Sequence, residues 1–250
     1  MNQVRLVLGY ELTRSLRNPL WIVFGLLSPF LSLVLFSPLL VGLGIKAGIS
    51  MAETLRSYTP GVLFALALLG SMYVGFGLVA DLRSGLLERL AAAPVSRTAL
   101  ILGRIARDCL ALLAQSLVLV ATATVQGLRA DVVGVALGIA LMMLLSAAAT
   151  AGSYCLALLL RTENALAAVL NFIVLPLQLL GGSILPLAFG PLWLQRLGRS
   201  LPSYWAVEGT RSLFAGAYTA STVPIAVACV GGLAVVLVLA LRRLWTTRVV

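Results

Sequence analysis

The sequence has no histidine and a single lysine, Lys46, among its 250 residues. Without imidazole there are no His-based catalytic triads, no zinc sites of the usual kind and no haem ligation through His. The lone lysine sits in GIKAG. A phosphate-cradling P-loop needs a Gly-rich turn closed by Gly-Lys-Ser/Thr, so no Walker-type nucleotide site is expected in this chain. Acidic residues are scarce as well: eight Asp and Glu against eighteen Lys and Arg, a net charge of +10. None of the eight falls near the middle of an apolar run, which counts against an ion-coupled carrier. The three cysteines, Cys109, Cys155 and Cys229, lie in apolar stretches at spacings that fit no metal or redox motif, and read as small packing residues.

What is abundant is apolar. Hydrophobic residues make up 61% of the chain and charged ones 10%, with a mean hydropathy of +1.07. Soluble domains run at about 45–50% apolar and 25% charged, so the fold class is all-α integral membrane. Crossing a hydrocarbon layer of about 30 Å takes roughly 20 helical residues. Six runs meet that length: 19–43, 60–80, 109–128, 132–160, 165–185 and 223–241. The expectation is a six-transmembrane-helix bundle over 19–250, preceded by a separate interfacial element at 1–18, with no length left for a soluble domain. Arg5, Arg14 and Arg17 precede a first run of 25 residues, longer than the core of a signal peptide, so that run is expected to stay in the protein.

With six spans both termini share one side, and twelve of the eighteen basic residues fall on it. The positive-inside rule therefore predicts cytoplasmic termini. Trp21 and Trp245 then fall at the inner interface, Trp193 and Trp205 at the outer one. The basic residues punctuate the ends of apolar runs rather than forming a patch interleaved with polar and aromatic groups, which excludes a nucleic-acid partner.

Three pieces lie outside the runs. Val4, Leu8, Leu12 and Leu16 line one face of a helix ending at Asn18-Pro19, an amphipathic helix expected on the membrane surface. The loop from Asp81 to Arg107 reads DLRSGLLERLAAAPVSRTALILGRIAR and holds a short helix at about 86–93 stopped by Pro94. The connection from Pro186 to Thr222 is too apolar for a solvated loop and too interrupted to span, so it is expected to be partly re-entrant at the outer leaflet.

In order and spacing, RSLRNP before the first run, GLLERLAAAPVSRTALILGR between the second and third, and LPSYWAVEGTRSLFAG before the last resemble the ABC exporter permeases of the type-two superfamily, in particular small bacterial drug-, lipid- and antibiotic-export permeases of the daunorubicin-resistance type. The resemblance covers nearly the whole chain. It implies a permease of the bacterial cytoplasmic membrane that works as a dimer, homodimeric or heterodimeric. Two copies of a separate ABC ATPase subunit would bind the ATP and Mg, and the permease itself would hold no cofactor and no metal. By the same resemblance Leu86, Leu87, Glu88, Arg89 and Leu90 form the ATPase-coupling helix, with Pro94 at its end, and Glu208 and Arg211 fall where an extracellular gate would be.

Polar residues inside the runs are costly in lipid and so draw notice. Asn164, Asn171 and Gln178 recur every seven residues on one helix face. Asn171 and Gln178, with Ser71 and Tyr73 on the second run, are candidates for a substrate path, against interhelical hydrogen bonding as the plainer role. Phe76 is a weaker candidate for touching an apolar substrate. Ala67, Ser71 and Gly75 form a small-xxx-small series suited either to a dimer interface or to packing within one subunit. Arg104 and Asp108, four apart, are expected to neutralise each other, and Glu208 and Arg211 to pair or cap. Two other functions compete. A secondary transporter or channel would be expected to show repeat symmetry or pore-lining polar residues. An intramembrane enzyme would need paired carboxylates, a His cluster or a Ser/Lys set at depth; the sequence offers none of these.

Overall fold

A computed structural model describes residues 2–16, 19–46, 48–85, 96–183 and 187–248. Among these there is no strand. The helices are α1 (Asn2–Leu16), α2 (Pro19–Lys46), α3 (Met51–Met72), α4 (Gly75–Arg83), α5 (Arg97–Val125), α6 (Val132–Leu160), α7 (Glu163–Leu180), α8 (Leu192–Arg199), α9 (Pro202–Phe214) and α10 (Thr222–Arg248). A 3-10 turn at Leu187–Phe189 precedes α8. Five stretches are long and apolar enough to cross a membrane: Met51–Arg83, Thr98–Val125, Val132–Leu160, Glu163–Leu180 and Thr222–Thr247. Helix α2 adds a shorter apolar stretch, Phe30–Lys46.

Helix α6 is the centre, and it packs against α3, α4, α5, α9 and α10. Its sequence explains the position. It is apolar all round, as a helix surrounded by others must be, and its buried positions include Gly138, Ser146, Ala148, Ala149, Ala151 and Ala157. Small residues let neighbouring backbones approach closely, the main source of helix association where lipid is as apolar as the side chains. The approach is closest at Gly134, where a Cβ would stand 1.9 Å from the Leu213 carbonyl oxygen. The helix starts on Asp131, whose carboxylate accepts from the Gly134 N–H at 2.8 Å and from the Tyr218 hydroxyl. Those two donors, the hydroxyl foremost, hold the Asp131 carboxyl below the usual carboxylate range.

Two helices begin well before the apolar run they carry. Helix α3 starts at Met51 because Ser50 and Glu53 form a capping box, each side chain satisfying the other's backbone N–H. Helix α5 starts at Arg97 behind Ser96, whose hydroxyl accepts from the Ala99 N–H at 3.2 Å. Helix α7, by contrast, stops at Leu180, and the Ser183 main chain that follows lies against Gly61 of α3, where a Cβ would be 1.8 Å from the Ser183 carbonyl oxygen. The chain then forms α8, which exposes Leu192, Trp193 and Leu197, and α9, which is buried between α3, α6 and α10 along Ala206, Val207, Thr210, Leu213 and Phe214.

Helix α1 packs on α5, and its buried side differs from the expected stripe. Val7 and Glu11 are buried and Val4, Leu8 and Leu12 half-buried, whereas Leu6 and Tyr10 are exposed. A carboxylate thus lies in the middle of the packed face. Trp245 is buried in a cluster with Leu78, Ile101 and Tyr154. Trp193 is exposed, and the Trp205 indole donates to the Arg199 carbonyl at 2.8 Å. The side chain of Trp21 lies outside the described residues.

Candidate functional site

At the end of the bundle where α1 meets α4 and α5, six charged side chains form one connected network. The Arg104 guanidinium, 4% exposed, has Nε 3.1 Å from Glu11 Oε1 and donates from Nη2 to Asp81 Oδ2 at 2.7 Å. Arg107 donates to the second Glu11 oxygen at 2.9 Å and to Asp108 Oδ1 at 2.6 Å. Arg14 donates to Asp81 Oδ1 at 2.9 Å, which raises its own pKa. The Tyr154 hydroxyl closes the set on Asp108 Oδ2 at 3.3 Å. Three cations face three anions, so the cluster is neutral, the condition under which charges are tolerated away from water. It also corrects the pairing expected from spacing. Arg104 engages residues of α1 and α4 rather than Asp108 on its own helix, because Arg107 is closer to Asp108 and binds it.

The network has a topological consequence. Asp81 and Arg104 stand on either side of the segment joining α4 to α5, and both are tied to α1, through Arg14 and Glu11 respectively. The two feet of that loop and the N-terminal helix are therefore one electrostatic unit.

Beside it the long span breaks. Helix α3 ends at Met72 and α4 resumes at Gly75, with two turn residues, Tyr73 and Val74, between. The break is bonded from outside. Ser153 of α6 donates its hydroxyl to the Met72 carbonyl and accepts from the Gly75 N–H at 3.0 Å. Gly75 is required there, since a Cβ would lie 2.5 Å from the Ser153 oxygen. The bend opens a cavity of about 660 Å³ lined by Tyr73, Phe76, Gly77, Asp81, Arg107 and Tyr154, among others. The Tyr73 and Phe76 rings stack at 5.9 Å, 15° apart, on one side of it. Apolar aromatic faces and a self-neutralised charge cluster thus share one chamber. Among the described residues no group of three or more acidic or cysteine side chains is arranged to hold a metal ion.

The residues singled out from sequence divide three ways. Tyr73 and Asn171 come together, the phenol donating to Asn171 Oδ1 at 3.0 Å and linking the break to α7. Ser71 is buried and shares a 2.6 Å hydrogen bond with Ser146 of α6, and Ala67 and Gly75 are buried too, which assigns the small-xxx-small series to packing within the chain. Gln178 is half-buried near the end of α7, where its main-chain carbonyl accepts from Ser183. Asn164 is exposed. Leu86, Leu87, Glu88, Arg89, Leu90 and Pro94 lie outside the described residues. Glu208 and Arg211 pair at 2.5 Å, and Arg211 further donates to the carbonyls of Ser57 and Gly182, fastening α9 to α3 and to the turn after α7.

Glu11, Asp81 and Arg107 escaped sequence reasoning as a site. One signal was available: Val4, Val7, Leu8 and Glu11 follow the i, i+3, i+4, i+7 spacing of a single face, and an acid there demands a cation opposite.

The family model for ABC-2 type transporters matches residues 2–215. The match takes in α1, both feet of the α4–α5 loop, the cavity and α9. The chain is also 29% identical over 210 residues to a protein of Cyanophora paradoxa named as transport permease ycf38, covering 79% of this chain and 69% of that one. Its counterpart in Pyropia yezoensis is 30% identical over 208 residues, with the same shares covered. That of Porphyra purpurea is 26% identical over 204.

Proposed function

The chain belongs to the ABC-2 type transporter family, and from that premise we propose that it is the permease subunit of an ATP-driven exporter. It is a multi-pass membrane protein of the transport-permease kind, and its family implies association with an ABC ATPase. In our reading two ATPase copies, carrying ATP and Mg, sit beneath a dimer of permeases in a bacterial cytoplasmic membrane, with both permease termini on the cytoplasmic side and six spans in each copy. The cargo is an apolar or amphipathic molecule moved outward.

The observation that carries this reading is the clamp on the feet of the α4–α5 loop. A push delivered to residues 86–93 by a partner reaches Asp81 on one side and Arg104 on the other. Both are locked to α1, and Asp81 lies on the short helix below the Tyr73–Val74 break. Force on the loop is thereby applied to α1, α4 and α5 together, while the break gives the span a place to bend next to the cavity. The charged groups at that cavity are all committed to ion pairs of the balanced network, with Glu11 behind the lining completing it, which favours a drug-like or lipid-like molecule.

Three outcomes test the reading. In proteoliposomes, transport should require the permease, a stoichiometric P-loop ATPase and ATP. Transport by the permease alone would overturn it in favour of a secondary carrier or channel. Glu88→Lys, reversing the charge offered to the ATPase, should leave insertion and ATP hydrolysis in place while abolishing export. Normal export in that variant would remove residues 86–93 from the coupling role. Asn171→Leu, which deletes the acceptor of the Tyr73 hydroxyl, should change export rate or substrate range by about threefold to thirtyfold, the equivalent of a membrane hydrogen bond of ~0.6–2 kcal/mol. Unchanged export with reduced stability would make Asn171 a packing residue only.

A further inference from the structure

All seven described carboxylates are engaged. Glu11, Asp81 and Asp108 belong to the charge network. Glu53 and Asp131 cap helices, Glu163 faces Arg83 at 3.6 Å, and Glu208 holds Arg211. Arg242 and Arg243, both exposed near the end of α10, are left with no carboxylate partner among the described residues. They flank a cleft of about 480 Å³ whose other walls are Thr98 and Ile101 of α5 and Leu239, Trp245 and Thr246 of α10. Of these, Trp245 is buried. Above the arginines on the same helix, Val235, Val236 and Leu239 are 60%, 62% and 51% exposed. The spacing 235, 239, 242 and 236, 239, 243 places this apolar strip and the two guanidinium groups on one face. Counting from Thr222, Arg242 is 20 residues along the helix, or about 30 Å at 1.5 Å per residue, the thickness of a hydrocarbon layer.

We infer that this cleft binds an anionic phospholipid, its phosphodiester held by Arg242 and Arg243 with Thr98 at its edge and its acyl chains lying along Leu239, Val236 and Val235. An anion is required because, among the described residues, the cleft carries two cations and no acid. A lipid rather than a free ion is required because the cations end an exposed apolar strip that needs covering along its length. Guanidinium groups suit the task, donating two parallel N–H bonds to a phosphate where an ammonium donates as a point charge. The inference is independent of transport direction and of the coupling reading.

The test uses the full chain, with its ATPase subunit where the two co-purify. Native mass spectrometry would count phosphatidylglycerol and phosphatidylcholine of identical acyl chains retained on the protein. We expect phosphatidylglycerol retention to fall at least fivefold in R242A/R243A and to be unaffected in R196A/R199A, which removes two cations from α8. Phosphatidylcholine retention should not change in either. In the unaltered protein, phosphatidylglycerol should raise Tm more than phosphatidylcholine, a measurement that stands even if the double variant folds poorly. Equal retention in R242A/R243A and the unaltered chain, equal Tm shifts from both lipids, or an equal loss in R196A/R199A would overturn the inference. Displacement of the lipid by millimolar inorganic phosphate would overturn it in favour of a simple anion site. Loss of the ATPase subunit from R242A/R243A with lipid retention intact would assign the arginines to the partner protein.

Discussion

Replacing Arg104 with Met is expected to destabilise the folded protein by about 3–5 kcal/mol, the cost of leaving buried charges without their partner. The side chain is 4% exposed and touches two carboxylates that are themselves 3% and 5% exposed. Its removal leaves Glu11 sharing only Arg107, and Asp81 sharing only the half-exposed Arg14. In detergent the variant should show a markedly lower unfolding temperature and an α1 that is cleaved by protease far sooner than in the parent. The double variant Arg104→Met, Glu11→Gln should recover much of the loss, since it leaves two balanced pairs, Arg14 with Asp81 and Arg107 with Asp108, and a balanced cluster is tolerated better than a half-removed one. If the single variant unfolds like the parent, the cluster contributes nothing to holding α1 in place. Arg107→Met should also be costly, because it leaves Asp108, 8% exposed, with only the Tyr154 hydroxyl as a partner.

The second large effect is expected at Gly61. Adding one methyl group, Gly61→Ala, drives a carbon to 1.8 Å from the Ser183 carbonyl oxygen, a backbone atom that no rotamer change can move aside. The turn after α7 must then shift, and Arg211 must loosen its hold on the Gly182 carbonyl. Overpacking of this kind costs about 1–3 kcal/mol or more. Gly70→Ala on the same helix is the control. Nothing lies within 4 Å of the added Cβ, and a helical alanine is favoured over glycine by about 1 kcal/mol. Thermal unfolding of the two variants should therefore move in opposite directions, and parallel shifts would mean that the α3–α7 contact is slack.

Much of the helical layout is legible in the chain because hydropathy is a local property. The start of α6 follows from the Asp131 cap, and α1 is separable from α2 because Asn18-Pro19 intervenes. The starts of α3 and α5 are not read from hydropathy, since Glu53, Arg56, Arg97 and Arg104 make those turns look like loops. Their helicity rests on caps at Ser50 and Ser96 and on long-range charge pairing. The candidate site is the least legible part. Its cations and anions come from α1, α4 and α5, and only the fold decides that Arg104 serves Glu11, not its near neighbour Asp108. The Tyr73–Asn171 pair combines two residues visible separately from their polarity, yet their meeting depends on the bend at Tyr73, for which no proline gives warning.

The origin of that bend bears on how the protein is made. The freed Met72 carbonyl and Gly75 N–H are both satisfied by Ser153, a residue of α6 synthesised well after the span it repairs. When 51–83 first enters the bilayer there is no such hydroxyl, and lipid supplies neither donor nor acceptor. The newborn span is then expected to run as unbroken helix through Tyr73. The kink, and the chamber beside it, are then expected to form when α6 docks, which would make the cavity a late product of assembly, missing from an isolated early fragment of the chain.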